Sequence, residues 1–197
     1  MTRKPILLLI ATLICIGVQA QLKSPLSSIK PQLNKVIDDF PVKFASIKGE
    51  KENGDPNTIQ YKSTVEMNGG SDAKIVGYPS KNRIYWLWET RLFSTEDLAE
   101  LKRQYKAYYN DIAGKALLTK SNSNNLVATA PYNAPSEALR IWTNQFRMND
   151  ETGDFKNMVV DLVAEYINFE WVVYLRVYDR EKDEDVRPTN EKTVTSN

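Results

Sequence analysis

Residues 83–93 read RIYWLWETRLF, which packs two tryptophans, a tyrosine and a phenylalanine into eleven positions. Such a stretch is either an aromatic box for a ligand or the core strand of a sheet. Its alternation separates the two. Ile84, Trp86, Trp88, Thr90 and Leu92 fall on one side of an extended chain. Tyr85, Leu87, Glu89, Arg91 and Phe93 fall on the other. Period two is the signature of a strand with one buried face.

A second stretch shows which face is buried. Laying Ile84 on Ile167 brings Trp86 onto Phe169, Trp88 onto Trp171, Thr90 onto Val173 and Leu92 onto Leu175. The other side does not match: Tyr85 meets Asn168, Leu87 meets Glu170 and Phe93 meets Arg176. Upstream, Tyr61 falls on Trp142, Val65 on Phe146, and Met67-Asn68 on Met148-Asn149. Similarity confined to one strand face is what a packed face leaves, because antiparallel sheets bury one side and solvate the other. Trp86, Trp88 and Trp171 are therefore expected in the core.

The rest of the chain arranges itself around these strands. Leu26, Ile29, Leu33, Val36, Ile37, Phe40, Phe44 and Ile47 recur at helical spacing, which predicts a helix over 22–48. Pro41 predicts a kink in it or a division into two short helices. Strands are predicted over 58–67, 74–78, 83–93, 126–130, 139–148, 155–165 and 166–178. Ser94 followed by Glu96 and Asp97 marks a helix start. Leu98, Leu101, Tyr105, Tyr108 and Ile112 carry that helix to about residue 113. The expected fold is α+β: two tandem helix-plus-antiparallel-sheet units, each an α-β3/4 repeat, with helices on one sheet face. The units span residues 21–93 and 94–178, and they share one sheet or form two facing sheets. Residues 179–197 are charged and poor in apolar side chains, which predicts a flexible tail.

The element order across residues 24–178 resembles the tandem helix-plus-four-strand fold of the beta-lactamase inhibitor proteins, and the chain also resembles other small exported bacterial proteins. The resemblance implies a fold only. This chain lacks the disulfides of those inhibitors, and no functional residue carries over.

The start of the chain bears on location. Arg3 and Lys4 precede an apolar run from Ile6 to Ile16, and Val18-Gln19-Ala20 offers a cleavage site before Gln21. This is the pattern of a secretory signal peptide over residues 1–20. The run is shorter than the ~20 apolar residues of a membrane-spanning helix. Export through the Sec route is expected, to the periplasm or beyond, with no integral membrane segment left after cleavage. Cys15 follows Leu13-Ile14, an unsuitable context for lipid attachment. Losing Arg3 and Lys4 turns the formal charge of +1 into a slight negative balance. That balance argues against nucleic acid as a partner.

Missing residue types narrow the chemistry. The chain has no histidine, and its one cysteine, Cys15, lies in the leader. Ser-His-Asp and Cys-His machinery are excluded, as are ordinary zinc and haem sites. No phosphate-cradling glycine loop occurs. No catalytic residue, cofactor or metal is therefore expected. Two carboxylates suffice for a glycosidase, and Asp38, Asp39, Glu89, Asp161, Glu165 and Glu170 are available in principle. No motif pairs them, and a carboxylate-based hydrolase ranks third among the functions considered. Asp150 to Asp154 reads as a hairpin turn, lacking the full calcium-loop spacing.

The unmatched sheet face is where function is expected. Tyr85, Leu87, Arg91 and Phe93 belong to it in the first unit, and Tyr166, Tyr174, Arg176 and Tyr178 in the second. Tyrosine and arginine are favoured at interfaces. The expectation is an exported, non-enzymatic protein that binds a protein partner or another envelope component through this face, with a homodimer as a further possibility. The alternative is a glycan or lipid binder.

Overall fold

A computed structural model describes residues 27–81, 83–113, 116–118, 123–149 and 153–180. The predicted signal peptide, the tail beyond Arg180 and positions 150–152 of the acidic turn lie outside the described residues.

Among the described residues, two α-helices, α1 (Lys30–Asp39) and α2 (Leu98–Ile112), accompany nine strands. In the first half these are β1 (Lys48–Glu52), β2 (Ile59–Ser63), β3 (Ser71–Pro79) and β4 (Ile84–Thr95). In the second they are β5 (Ala116–Leu118), β6 (Ser123–Ala128), β7 (Ile141–Met148), β8 (Met158–Ile167) and β9 (Glu170–Asp179). Their order is β1-β2-β3-β4-β9-β8-β7-β6-β5. Eight strands form one antiparallel sheet, and β5 extends it through a separate ladder with the first half of β6. The two halves thus share a single sheet, joined where β4 pairs with β9.

The helices cover one face. Trp88 is fully buried there with Ile75, Leu175 and Val177. Its indole N–H donates to Ser63 Oγ at 2.9 Å. From α1 come Leu33, Val36 and Ile37, and from α2 Leu101, Tyr105, Tyr108 and Ile112. Each large apolar side chain so buried contributes about 1.5–3 kcal/mol. Asp111 near the end of α2 accepts the Ile29 N–H at the start of α1, at 2.9 Å, and so ties the helices together.

Several sequence expectations need correction. Positions 22–26 of the first expected helix lie outside the described residues; the rest divides near Pro41, as expected, into α1 ending at Asp39 and a single 3-10 turn over Ala45–Ile47. Lys43 and Phe44 adopt positive φ and reverse the chain. Phe40, Phe44 and Ile47 are nonetheless buried, so burial in a turn imitated helical spacing. Asp39 holds this turn by accepting the Ser46 and Ile47 N–H groups. The expected strand 58–67 stops at Ser63, and the boundary between the last two strands lies at Asn168-Phe169. The expected matches of Ile84 with Ile167 and of Trp86 with Phe169 fail there, since Ile167 ends β8, Phe169 occupies the hairpin tip, and both isoleucines are exposed.

Tyr105 stitches α2 to the sheet. Its hydroxyl donates to the Leu162 carbonyl at 2.6 Å and accepts the Asn144 backbone and side-chain N–H groups at 3.1 and 2.9 Å. Asn144 and Leu162 face each other in the β7–β8 register, so the phenol relays one strand's donor to the other's acceptor. Burial pushes its pKa up to about 12. Tyr105→Phe leaves those groups unpartnered in the core, and urea denaturation should register a loss of about 1–3 kcal/mol.

Candidate functional site

The face away from the helices carries a rung of charge. Lys74, Glu89, Arg176, Asp161 and Gln145 are successive register partners across β3, β4, β9, β8 and β7. Signs alternate along the first four. Lys74 Nζ lies 3.3 Å from Glu89 Oε1, and Arg176 Nε lies 2.5 Å from Glu89 Oε2. Arg176 also reaches Glu165 at 2.9 Å with Nη1. Opposite charges directly across strands stabilise a sheet, and the partial burial of Glu89 and Arg176 keeps solvent from screening them. Burial works against the charge on Arg176, but Glu89 and Glu165 outweigh it and raise its pKa.

Asp161 belongs to the same rung but is held differently. It is buried. Tyr178 donates its hydroxyl to Asp161 Oδ2 at 2.8 Å, and Gln145 donates Nε2–H to Oδ1 at 3.2 Å. Burial raises the Asp161 pKa despite these bonds and despite Arg176 and Arg147 nearby. Tyr178 is raised in turn, by burial first and then by the Asp161 carboxylate.

The next rung is Val76, Leu87, Tyr178 and Val159, and beyond it Tyr78 pairs with Tyr85. Together these rungs wall a cavity of about 540 Å³ at the Leu87–Tyr178 end of the β4–β9 ladder. Tyr78, Tyr85, Leu87, Glu89, Asp161, Arg176 and Tyr178 line it from the open face, with Trp86 and Asp179 completing the wall. Tyr85 is mostly buried, and the Arg83 guanidinium lies 4.1 Å from its ring centre. Asp179 anchors this end, with Lys43 Nζ at 3.2 Å and Arg83 Nη1 at 3.6 Å. Gly77 is required beside it: an added Cβ would come within 2.8 Å of the Trp86 ring.

Of the eight residues expected on this face, the structure brings Tyr85, Leu87, Arg176 and Tyr178 together in the cavity. Arg91 and Tyr174 pair one rung beyond Glu89–Arg176, and Arg91 Nη2 contacts Asp72 at 3.1 Å. Burial and the nearby Glu89 and Glu165 raise the Tyr174 pKa. Phe93 does not share the face. A bulge between Arg91 and Phe93 sets Phe93 opposite the core residue Val173, and its ring packs against the core. Tyr166 also lies on the helix side, paired with Trp171 at 5.1 Å between ring centres. The face is not the free basic surface its composition suggests, because Arg91, Arg176 and Lys74 each meet a carboxylate.

Tyr78, Lys74 and Gln145 were missed as site residues. For Tyr78 and Lys74 the signal was present, since alternation within 74–78 puts both opposite Ile75. Among the described residues, no three acidic, histidine or cysteine side chains group as a metal site, and no helix is long and apolar enough to cross a membrane. Compared with protein-family models, curated proteins and solved structures, the chain matches none.

Two measurements probe the rung. Arg176→Met leaves Glu89 and Glu165 without their shared cation and should cost about 3 kcal/mol in urea denaturation. Asp161 gives a pH signature. Its folded-state carboxyl keeps its proton above the ordinary value of 3.8, so the folded state binds more protons across that window. The stability it contributes is present below the window and lost as pH rises through it. Asp161→Asn should therefore gain on the wild type as pH rises from about 3 to about 7. A pH-independent difference between the two would contradict this assignment.

Proposed function

We propose that the chain is an exported, non-enzymatic binding protein whose open sheet face holds a small neutral ring ligand of the saccharide class. One observation carries this: three tyrosines and Leu87 wall a cavity of about 540 Å³ with Glu89, Asp161 and Arg176 at hand. The volume falls within the ~300–1,000 Å³ usual for ligand sites. Aromatic walls suit the apolar face of a sugar ring, and carboxylate, guanidinium and phenol groups suit its hydroxyls. The charged groups already meet one another, so a neutral ligand enters without breaking an ion pair. Binding fits better than catalysis, because Glu89 and Glu165 share Arg176 while Asp161 accepts from Tyr178 and Gln145. The basic start and apolar run before Gln21 support export.

The geometry favours a small ligand over a protein partner on this face. Tyr85 and Glu89 are buried walls, whereas a flat protein contact needs protruding anchors. The proposal includes a duplicated origin for the two halves. It is supported by the mirrored strand order about β4–β9 and by the buried pairs Trp88/Trp171, Thr90/Val173 and Leu92/Leu175.

Titrating intrinsic fluorescence with neutral oligosaccharides and, separately, fatty acids tests the reading. Saccharides should give saturable quenching, weakened about tenfold or more in Tyr85→Ala and partly in Tyr178→Phe. A response to fatty acids alone would move the assignment to a lipid. Release of reducing ends, abolished by Glu89→Gln or Asp161→Asn, would instead show a hydrolase.

A further inference from the structure

The β8–β9 hairpin turns on Asn168 and Phe169 alone, with Ile167 and Glu170 as the last register pair. Both turn residues have positive φ, 51° at Asn168 and 68° at Phe169. Two-residue turns of this kind favour Asn-Gly, because glycine takes the left-handed region without strain. Asn168 follows the rule. Phe169 stands where glycine belongs, and a bulky residue there is an outlier that costs stability. Burial does not offset that cost, since Phe169 is 84% exposed.

The tip is not isolated. Tyr166 and Ile167 precede it, and the start of β7 runs alongside, where the Tyr166 N–H donates to the Arg140 carbonyl at 2.8 Å. Leu139 and Ile141 flank Arg140 and are 56% and 59% exposed. Large exposed apolar side chains gathered at one end of a sheet mark an interaction surface. A second cavity, about 560 Å³, opens beside them, and Glu96, Asp97 and Glu137 outnumber Arg140 in its wall.

We propose that this tip is a docking surface for another protein, which presents a basic side chain beside an apolar one. Phe169 and its apolar neighbours supply the contact area, and the acidic wall receives the cation. The acids select against the other occupants. They would repel anionic lipid headgroups. A two-fold dimer through this tip would bring two copies of the acidic wall into one interface. The surface is independent of the saccharide cavity: β9 runs from the tip at Glu170 to the cavity at Tyr178, about 25 Å along the strand.

Selection of a phage-displayed random peptide library on the protein, produced from its full coding sequence, tests the proposal. Selected peptides should carry lysine or arginine next to an aromatic or aliphatic residue. They should bind Phe169→Gly at least about tenfold more weakly, and Glu137→Lys more weakly too. Phe169→Gly should meanwhile raise Tm by about 2–4 °C, because it relieves the turn. Phe169→Asn, also at home in the left-handed region, should lose binding in the same way. Affinity lost while stability rises cannot arise from misfolding. Peptides without a basic residue, or equal binding to Phe169→Gly, would overturn the proposal. So would an empty selection, a dimer that dissociates in Phe169→Gly, or wild-type binding to phosphatidylcholine or phosphatidylglycerol vesicles that Phe169→Gly abolishes.

Discussion

Everything in this fold depends on the ladder between β4 and β9. It is the seam through which one half of the sheet meets the other, and both of its faces are committed. Toward the helices it sets Trp88 against Val177 and Thr90 against Leu175, all buried. Away from them it sets Glu89 against Arg176. Apolar contact supplies most of the energy, while the ion pair fixes register, because a one-residue slip would turn every side chain to the wrong face. The same register that aligns the core therefore also assembles the cavity.

The parts of the fold that were legible in the sequence were those where one physical demand acted alone. Strand β4 was readable because half-burial imposes alternation, and Trp88, Thr90 and Leu92 obey it. Helix α2 was readable because Leu101, Tyr105, Tyr108 and Ile112 form a stripe, although its cap is Asp97 and not the expected Ser94, which still belongs to β4. Failures came where two demands overlapped. Phe44 and Ile47 keep helical spacing but are buried from a turn. Strand β1 was unreadable because Lys48–Glu52 is a polar edge strand, with no apolar face to alternate. The bulge before Phe93 left no local mark, because only its pairing with Val173 creates it.

The site was legible to a similar degree and for similar reasons. Alternation set Tyr85, Leu87, Arg176 and Tyr178 on one face, and they meet in the cavity. Pairing was not legible. Glu89, Asp161 and Glu165 could be named as carboxylates, but their partners lie on strands whose order no local pattern encodes. An aromatic-basic surface by composition is thus, in three dimensions, an aromatic cleft whose charges are matched. Phe169 gave no signal at all, since a phenylalanine in a hairpin turn contradicts the usual chemistry of turns.

The central place of β9 has a consequence for how such a chain would come to be folded. Every other described strand precedes β9 in sequence, yet it is β9 that fills the middle of the sheet. Until it arrives, β4 and β8 each present an open edge rich in aromatic and branched residues, and the halves have no common partner. Contacts this distant in sequence form slowly, because the intervening loop must close first. A chain threaded outward from its start would keep its first half unsealed until nearly the whole length had emerged. That ordering places the burden of protection on whatever holds the nascent edges apart in the meantime.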